Sequence, residues 1–172
     1  MRRVFLLALV FYLEPNGLHG KDRDRLDISI VAAMQPECPL NVSGIEVLPQ
    51  NKAYGATVYN SSKFKVKEYE IHWIAAAPPG CSAKGETRRS TLSRTVRAMV
   101  APDSSLTNPA ARVQTSQLET IAGTLATKHL HVQVGVARVR FENGSSWQAE
   151  SDDEIFTSSL MNQESEKCQV VE

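Results

Sequence analysis

Residues 130–147 constrain the fold of this chain more than any other stretch. The first half of this stretch alternates apolar and polar side chains with a period of two, which is the pattern of a β-strand with one buried face. After Arg138 the apolar side chains, Val139 and Phe141, fall on the opposite parity. One extra residue in a single strand causes such a slip, so the sequence predicts a β-bulge near residues 135–138.

The turn that follows this strand contains Asn143 and Gly144. A three-residue loop with Gly144 in the left-handed conformation pairs Val139 with Trp147, so that both lie on the same face as Phe141. A two-residue loop would place Trp147 on the face of the arginines instead. Because the buried pattern sets the register, we predict the three-residue loop with a G1 bulge.

Shorter runs with the same period occur along most of the chain. The clearest lies at residues 68–73, where Trp73 shares one face with Tyr69 and Ile71, while two glutamates and His72 occupy the other. Weaker runs lie at residues 28–32, 45–47, 54–58 and 96–100. Together they predict an all-β fold, an immunoglobulin- or fibronectin-like β-sandwich of about six to seven strands. A small barrel is the alternative.

Residues 116–127 leave helix and strand open. Ser116 and Glu119 have the spacing of a capping box, and the apolar residues at 118, 121, 122 and 125 have helical spacing. Gly123 and the threonines at 120, 124 and 127 argue against a stable helix. We therefore expect either one short helix or a further strand there.

The first 20 residues have the composition of a secretory signal. Two arginines follow Met1, residues 4–13 form an uninterrupted apolar run, and Pro15 then breaks it. The run is too short to span a bilayer as a helix, which takes about 20 apolar residues. We expect a signal peptide over residues 1–20 and cleavage between Gly17 and Lys21, with a buried first element or an uncleaved membrane tether as the alternatives. No second apolar segment approaches spanning length.

The signal implies a periplasmic or extracellular domain over residues 21–150. The remaining residues, 151–172, are rich in acids, which is typical of a solvated, flexible tail. An oxidising compartment makes Cys38 and Cys81 candidates for a disulfide. Cys168 is then left free or pairs between chains.

The turn Asn60-Ser61-Ser62-Lys63 separates two predicted strands, and the hairpin Phe141-Glu142-Asn143-Gly144-Ser145-Ser146-Trp147 comes late in the chain. The chain thereby resembles a group of uncharacterised exported bacterial β-sandwich proteins with an N-x-S-x-K turn and a late F-x-[DN]-G-[ST]-x-W hairpin. The similar segments are residues 54–73 and 139–147, and the first turn differs in having two adjacent serines. The resemblance implies a β-sandwich and export. Since these are turn and core motifs, it implies no activity.

His129 and His131 are the strongest candidates for metal ligands. Two residues apart on a strand, they point the same way about 7 Å apart. A third ligand would have to come from His72 or an acidic residue. Because no third ligand occurs at a recognisable spacing, we expect two exposed histidines, with neither a metal nor another cofactor. The sequence also has no nucleophile motif or phosphate-binding loop.

The stretch after Cys81 is basic and contains Lys84, Arg88, Arg89, Arg94 and Arg97. It fits an external anionic surface, the chain's own acidic tail, or a charged edge strand that discourages aggregation, which is the default interpretation. The whole chain has 19 basic and 19 acidic residues, and its zero net charge gives no electrostatic case for binding nucleic acid.

Together these features predict an exported, non-enzymatic β-sandwich module in the cell envelope or extracellular space. It would act by binding, with another envelope protein or a polysaccharide as its partner, or as a structural element. The competing hypothesis is a secreted metal-dependent enzyme that uses His129 and His131.

Overall fold

The computed structural model describes residues 26–81 and 88–156. These residues form nine β-strands and one α-helix. In chain order the elements are β1 (Asp27–Ala32), β2 (Leu40–Leu48), β3 (Ala53–Asn60), β4 (Val66–Ala76), β5 (Arg89–Val100), β6 (Ser104–Thr107), β7 (Val113–Gln114), α1 (Thr115–Leu125), β8 (His129–Phe141) and β9 (Ser146–Gln148).

The strands form two sheets that pack face to face, so the predicted all-β sandwich is confirmed. The larger sheet has the order β1-β8-β4-β5, with β9 also paired to β8, and the smaller has the order β2-β3-β6, with β7 also paired to β3. The pair β1–β8 is parallel, and the remaining pairs among the described strands are antiparallel. One apolar core joins both sheets and the helix.

The described strands outnumber the predicted six to seven because three of them are very short. Strand β6 has four residues, β7 has two and β9 has three. A run of that length is too short to show alternation of apolar and polar side chains. The longer predicted runs all lie within strands of the structure.

Trp73 lies at the centre of the core and is fully buried. Its indole Nε1 donates a hydrogen bond of 3.1 Å to the carbonyl oxygen of Ala111. This bond satisfies the polar atom of a side chain that is otherwise surrounded by apolar neighbours. The side chain of Trp147, on β9, is partly buried and packs against the same core.

The bulge and the hairpin of β8 have the predicted geometry. Glu70 faces Arg138 and Ile71 faces Val136, so Ala137 is the extra residue on β8. Val139 faces Trp147 across the hairpin. The loop closes with a 2.9 Å hydrogen bond from the N–H of Phe141 to the carbonyl of Ser145, and Gly144 has a φ of 87°. That positive φ is the reason a glycine suits this position.

Residues 115–125 are helical, which settles the alternative between helix and strand. The apolar residues at 118, 121, 122 and 125 form the buried face of α1. The capping interaction begins two residues earlier than predicted, because the side chain of Gln117 accepts a 3.1 Å hydrogen bond from the backbone N–H of Gln114. The hydroxyls of Thr120 and Thr124 donate to carbonyls four residues earlier, so these threonines fit the helix by bonding to its backbone.

The domain extends beyond the predicted boundary at residue 150. Ile155 and Phe156 are buried and pack with Ile74, Ala76 and Ala137 on the outer face of the larger sheet. The predicted tail therefore starts too early, because an apolar pair lies within the acidic stretch. The predicted signal peptide, Lys84, Cys168 and the rest of the tail lie outside the described residues.

The predicted disulfide between Cys38 and Cys81 is wrong. Cys38 is a free thiol, 2% exposed, and its Sγ donates a 3.0 Å hydrogen bond to the carbonyl of Leu40. Burial raises the pKa of this thiol to about 12. Cys81, just after β4, is disulfide-bonded. Cys38 therefore acts as a small core side chain at the start of β2.

Candidate functional site

The outer face of the larger sheet, which is turned away from the smaller sheet, carries a continuous row of polar side chains. Side chains alternate along β4, so Tyr69 and Trp73 point into the core, while Glu68, Glu70 and His72 point outward. Neighbouring strands place arginine, serine and threonine residues beside them. We take this outer face as the candidate functional site, since it concentrates the titratable groups of the described chain.

His72 lies between two carboxylates. Its Nδ1 is 2.7 Å from Oδ1 of Asp152, and its Nε2 is 3.2 Å from Oε1 of Glu70. Both ring nitrogens therefore face carboxylate oxygens of the protein, and each is engaged in a contact within the cluster.

Glu70 is held as a carboxylate by three neighbours. The hydroxyl of Ser93 donates to its Oε1, and Nη2 of Arg138 lies 3.1 Å from its Oε2. The hydrogen bond from Ser93 lowers the pKa of the Glu70 carboxyl most, burial opposes this, and contacts with His72 and Arg138 lower the pKa further. A carboxylate with a lowered pKa is a weaker base toward the hydroxyl of Ser93.

The C-terminal end of the described chain folds onto this face. A short 3₁₀ turn (Asp152–Glu154) brings Asp152 to the sheet, where its Oδ2 accepts a 2.9 Å hydrogen bond from the hydroxyl of Thr91. Asp153 pairs with Arg89, whose guanidinium lies 4.6 Å from the ring centre of Phe156. One member of the basic stretch therefore does meet the acidic C-terminal residues, as one of the sequence interpretations predicts.

At the other end of the face the charges alternate across three strands. Glu68 on β4 lies between Arg97 on β5, at 3.1 Å, and Arg140 on β8, at 3.5 Å. The Glu68 side chain is 14% exposed, whereas Arg97 is 86% and Arg140 is 61% exposed. The carboxylate is recessed and the guanidinium groups are outermost, so the surface offered to solvent is positive.

Two recesses open on this face. One of about 220 Å³ lies over the paired groups, and one of about 330 Å³ lies beside the hairpin between β8 and β9. The first is lined by Glu70, His72, Arg138 and Asp152, and the second by Lys67, Arg140, Ser145 and Ser146. The first recess therefore presents groups that are already paired, whereas the second presents two cationic side chains and two hydroxyls.

The two histidines proposed as metal ligands have separate environments. His131 is 1% exposed, its Nε2 lies 3.1 Å from Nε2 of Gln133, and its ring packs edge-on against Phe156. His129 is partly exposed, and its Nδ1 lies 3.4 Å from Oδ2 of Asp27. The expected exposure of both residues is thus wrong for His131, because the C-terminal segment contacts it.

His72 does not join these two histidines, since its partners are Glu70 and Asp152. Within residues 26–81 and 88–156, no group of three or more His, Cys, Asp or Glu residues could hold a metal ion. His129 and His131 are therefore close in sequence but do not belong to a group of metal ligands among the described residues.

Sequence reasoning did not assemble the group formed by Glu70, His72 and Asp152. It placed Glu70 and His72 correctly on one face of a strand, but it assigned Asp152 to a solvated tail. The apolar pair Ile155 and Phe156, directly after three acidic residues, is the signal that could have shown this segment to be packed.

A scan of the chain against protein-family models finds no matching family, and a search of curated proteins finds no match. Within the described part of the chain, no helix has both the length and the apolar character needed to cross a bilayer.

Proposed function

We propose that the protein is an exported, non-enzymatic β-sandwich module that acts by binding a partner, or as a structural element, in the cell envelope or extracellular space. One observation carries the proposal: the polar groups over the first recess are paired with one another. His72 contacts two carboxylates, and Glu70 receives hydrogen bonds or ion pairs from three side chains.

A catalytic site needs a base or nucleophile that faces the substrate with a free lone pair. His72 has both nitrogens engaged, and the hydroxyl hydrogen of Ser93 points to a carboxylate whose pKa is lowered. Arg138 pairs with Glu70, Arg89 pairs with Asp153, and Asp152 accepts a hydrogen bond from Thr91. The arrangement suits a rigid recognition surface better than proton transfer.

Export is supported by the first 20 residues, where two arginines precede an apolar run that ends at Pro15. The resemblance to exported β-sandwich proteins, through the turn after Asn60 and the hairpin that ends at Trp147, supports it further. The part of the polar face that residues 152–156 leave uncovered would then be the surface offered to an envelope or extracellular partner.

The export part is tested by cell fractionation with mass spectrometry of the N-terminus. We expect a mature form that begins between Leu18 and Lys21 and is found outside the cytoplasm. Leu7→Arg, which interrupts the apolar run, should leave the full-length chain in the cytoplasm, and Leu7→Ile should not. Cytoplasmic retention of the unchanged full-length protein would contradict export.

The non-enzymatic part is tested by elemental analysis of the natively purified protein and by a panel of hydrolase substrates. We expect no stoichiometric zinc, copper or iron and no turnover. Stoichiometric metal that His131→Ala removes, together with hydrolase activity, would establish the competing metal-dependent enzyme instead.

A further inference from the structure

We propose that the module binds an acidic polysaccharide through the charged end of the larger sheet. This proposal rests on the proposed function as a binding module and names its ligand class. The binding surface, here called the basic end, consists of Lys65, Lys67, Arg97, Arg138 and Arg140. These residues come from three neighbouring strands and the residue just before β4, and they all lie on the outer face.

The formal charges of the basic end are only partly balanced, because it carries five cations and three acids. The three acids are Glu68, Glu70 and Glu142, each paired with one or two of the basic side chains. Glu68 and Glu70 are recessed beneath their arginines, and the arginine side chains extend past them into solvent. An approaching polyanion would therefore meet cations first.

A bulge in β4 adds one of these cations. Val66 faces Phe141 and Glu68 faces Arg140, so Lys67 is an extra residue on its strand. Lys67 is exposed, and within the described residues it makes no hydrogen bond or ion pair. A ligand can therefore bind the ammonium group of Lys67 without breaking an existing contact.

The recess beside the hairpin between β8 and β9 can accommodate a single anionic group of the ligand. It has a volume of about 330 Å³ and lies between Lys67 and Arg140, with Ser145 and Ser146 at its edge. A sulfate or carboxylate in the recess could contact both cations, and sugar hydroxyls could bond to the serine groups. Arg97 lies on β5, about 5 Å across the sheet from β4, and Arg138 lies two residues before Arg140 on β8, about 7 Å along that strand.

This repeated spacing favours a ligand with repeated negative charges over a small anion. A polysaccharide fits better than a nucleic acid, because Phe141 at the recess is buried in the core and the neighbouring ring of Phe64 is already in contact with Phe141 and Lys63, so neither offers a free face for base stacking. A membrane surface fits less well, since a peripheral protein normally adds an apolar anchor to its basic residues. Two apolar side chains beside the basic end are exposed, Phe64 at 40% and Met99 at 48%, but the ring of Phe64 already contacts Phe141 and lies 5.3 Å from Nζ of Lys63. That leaves a single methionine, whereas an interfacial anchor presents a whole apolar face.

The test measures binding of heparin, as a sulfated polysaccharide, to the full-length protein by calorimetry over a range of salt concentrations. We expect log K to fall linearly with log salt, and Lys67→Gln should reduce the magnitude of that slope by about one and weaken binding severalfold. Lys52→Gln is the matched control, because it removes one positive charge outside the basic end, after β2. It should leave both the affinity and the slope unchanged.

Arg97→Gln should act like Lys67→Gln, and circular dichroism would show that both variants are folded. Absence of heparin binding at low salt, or equal losses in Lys67→Gln and Lys52→Gln, would overturn the proposal. Equal or tighter binding of a single-stranded oligonucleotide or of anionic lipid vesicles at the same residues would replace the polysaccharide by that ligand. If the full-length variant Glu164→Gln/Glu166→Gln bound heparin more tightly, the basic end would instead be a site for the chain's own C-terminal acids. Loss of heparin binding would overturn only the choice of ligand. The proposed function would fail on other results, namely enzymatic turnover or retention in the cytoplasm, which this experiment does not measure.

Discussion

The side chain of Gln35 forms two hydrogen bonds with the backbone of Val136, a residue 101 positions later in the chain. Its Nε2 donates to the Val136 carbonyl at 2.9 Å, and its Oε1 accepts from the Val136 N–H at 2.8 Å. Val136 directly precedes Ala137, the bulged residue of β8, where the ladder with β4 shifts. The buried amide thus satisfies both backbone groups at the point where the ladder is interrupted.

Gly135 allows this contact, and its replacement should be destabilising. A Cβ at residue 135 would lie 2.6 Å from Oε1 of Gln35 and 2.7 Å from Cγ2 of Ile155, closer than atoms can approach. We expect Gly135→Ala to lower the free energy of unfolding by about 1–3 kcal/mol, as overpacking does. Urea denaturation monitored by tryptophan fluorescence measures this change.

Gly123 provides the matched control, because a Cβ there would meet nothing within 4 Å on the exposed side of α1. Gly123→Ala should raise stability by about 0.5–1 kcal/mol through helix propensity alone. If Gly135→Ala were as stable as the unaltered protein, the packing of Gln35 and Ile155 over β8 would be wrong.

Tyr69→Phe should not destabilise the protein, although Tyr69 is 1% exposed in the core. Its hydroxyl is buried with no hydrogen-bond partner within the described residues, and burial raises its pKa to about 12. Removing an unsatisfied buried hydroxyl abolishes its desolvation cost, so we expect a gain of about 1 kcal/mol.

Chemical denaturation of this variant beside Tyr59→Phe tests the point. The Tyr59 hydroxyl contacts Asp103 at 3.2 Å on the surface, and its loss should change little. A clear loss of stability in Tyr69→Phe would mean that the hydroxyl has a partner in the folded protein.

Glu70→Gln should destabilise the protein at neutral pH and much less in acid. The pKa of Glu70 in the folded protein is lowered, first by the hydrogen bond from Ser93 and then by His72 and Arg138. The carboxylate therefore stabilises the fold above its ordinary pKa, and that contribution is lost as the pH falls through the lowered value.

Denaturation curves at pH 7 and at about pH 3 compare the two proteins, with glutamate ordinarily titrating near pH 4. The difference between Glu70→Gln and the unaltered protein should shrink in acid. Glu142→Gln removes a carboxylate from an exposed pair with Lys65 and should cost less than about 0.5 kcal/mol at either pH. A difference that grew in acid would contradict the sign of the shift.

The cysteines should divide into one inert thiol and one disulfide. Cys38 is buried with its pKa at about 12, so it should react with thiol reagents only after unfolding. Cys81, in contrast, is disulfide-bonded.

Peptide mapping of the oxidised protein should therefore find Cys81 in a disulfide-linked peptide and Cys38 in a free one. The variant Cys38→Ala should retain the Cys81 disulfide, and Cys81→Ser should remove it. A peptide that joined Cys38 to Cys81 would contradict the structure.

Local patterns in the sequence predicted those parts of the fold that depend on neighbouring residues. The change of parity before Val139 located the bulge, and the position of Trp147 chose the three-residue turn, because each pattern lies within one strand or hairpin. The spacing of the apolar residues in α1 predicted its buried face. It did not decide between helix and strand, because that choice depends on packing against the rest of the domain.

The candidate site could not be predicted in the same way, because its members are distant in sequence. Asp152 lies 80 residues after His72, and its acidic neighbours suggested a solvated segment. Likewise, the burial of His131 depends on Phe156, a residue outside its own strand. Pairings of this kind follow from the tertiary fold and have no periodic signature.

The position of β8 has a consequence for the order in which the protein can fold. This strand joins β1, β4 and β9, so the larger sheet has no centre until residue 141 is available. A chain that emerges from its N-terminus onward must keep β1 unpaired while more than a hundred residues follow, and such distant pairing is slow. If the protein is exported as proposed, this delay is useful. A chain whose larger sheet cannot form before residue 141 is available stays unfolded, and an unfolded chain can pass through the membrane.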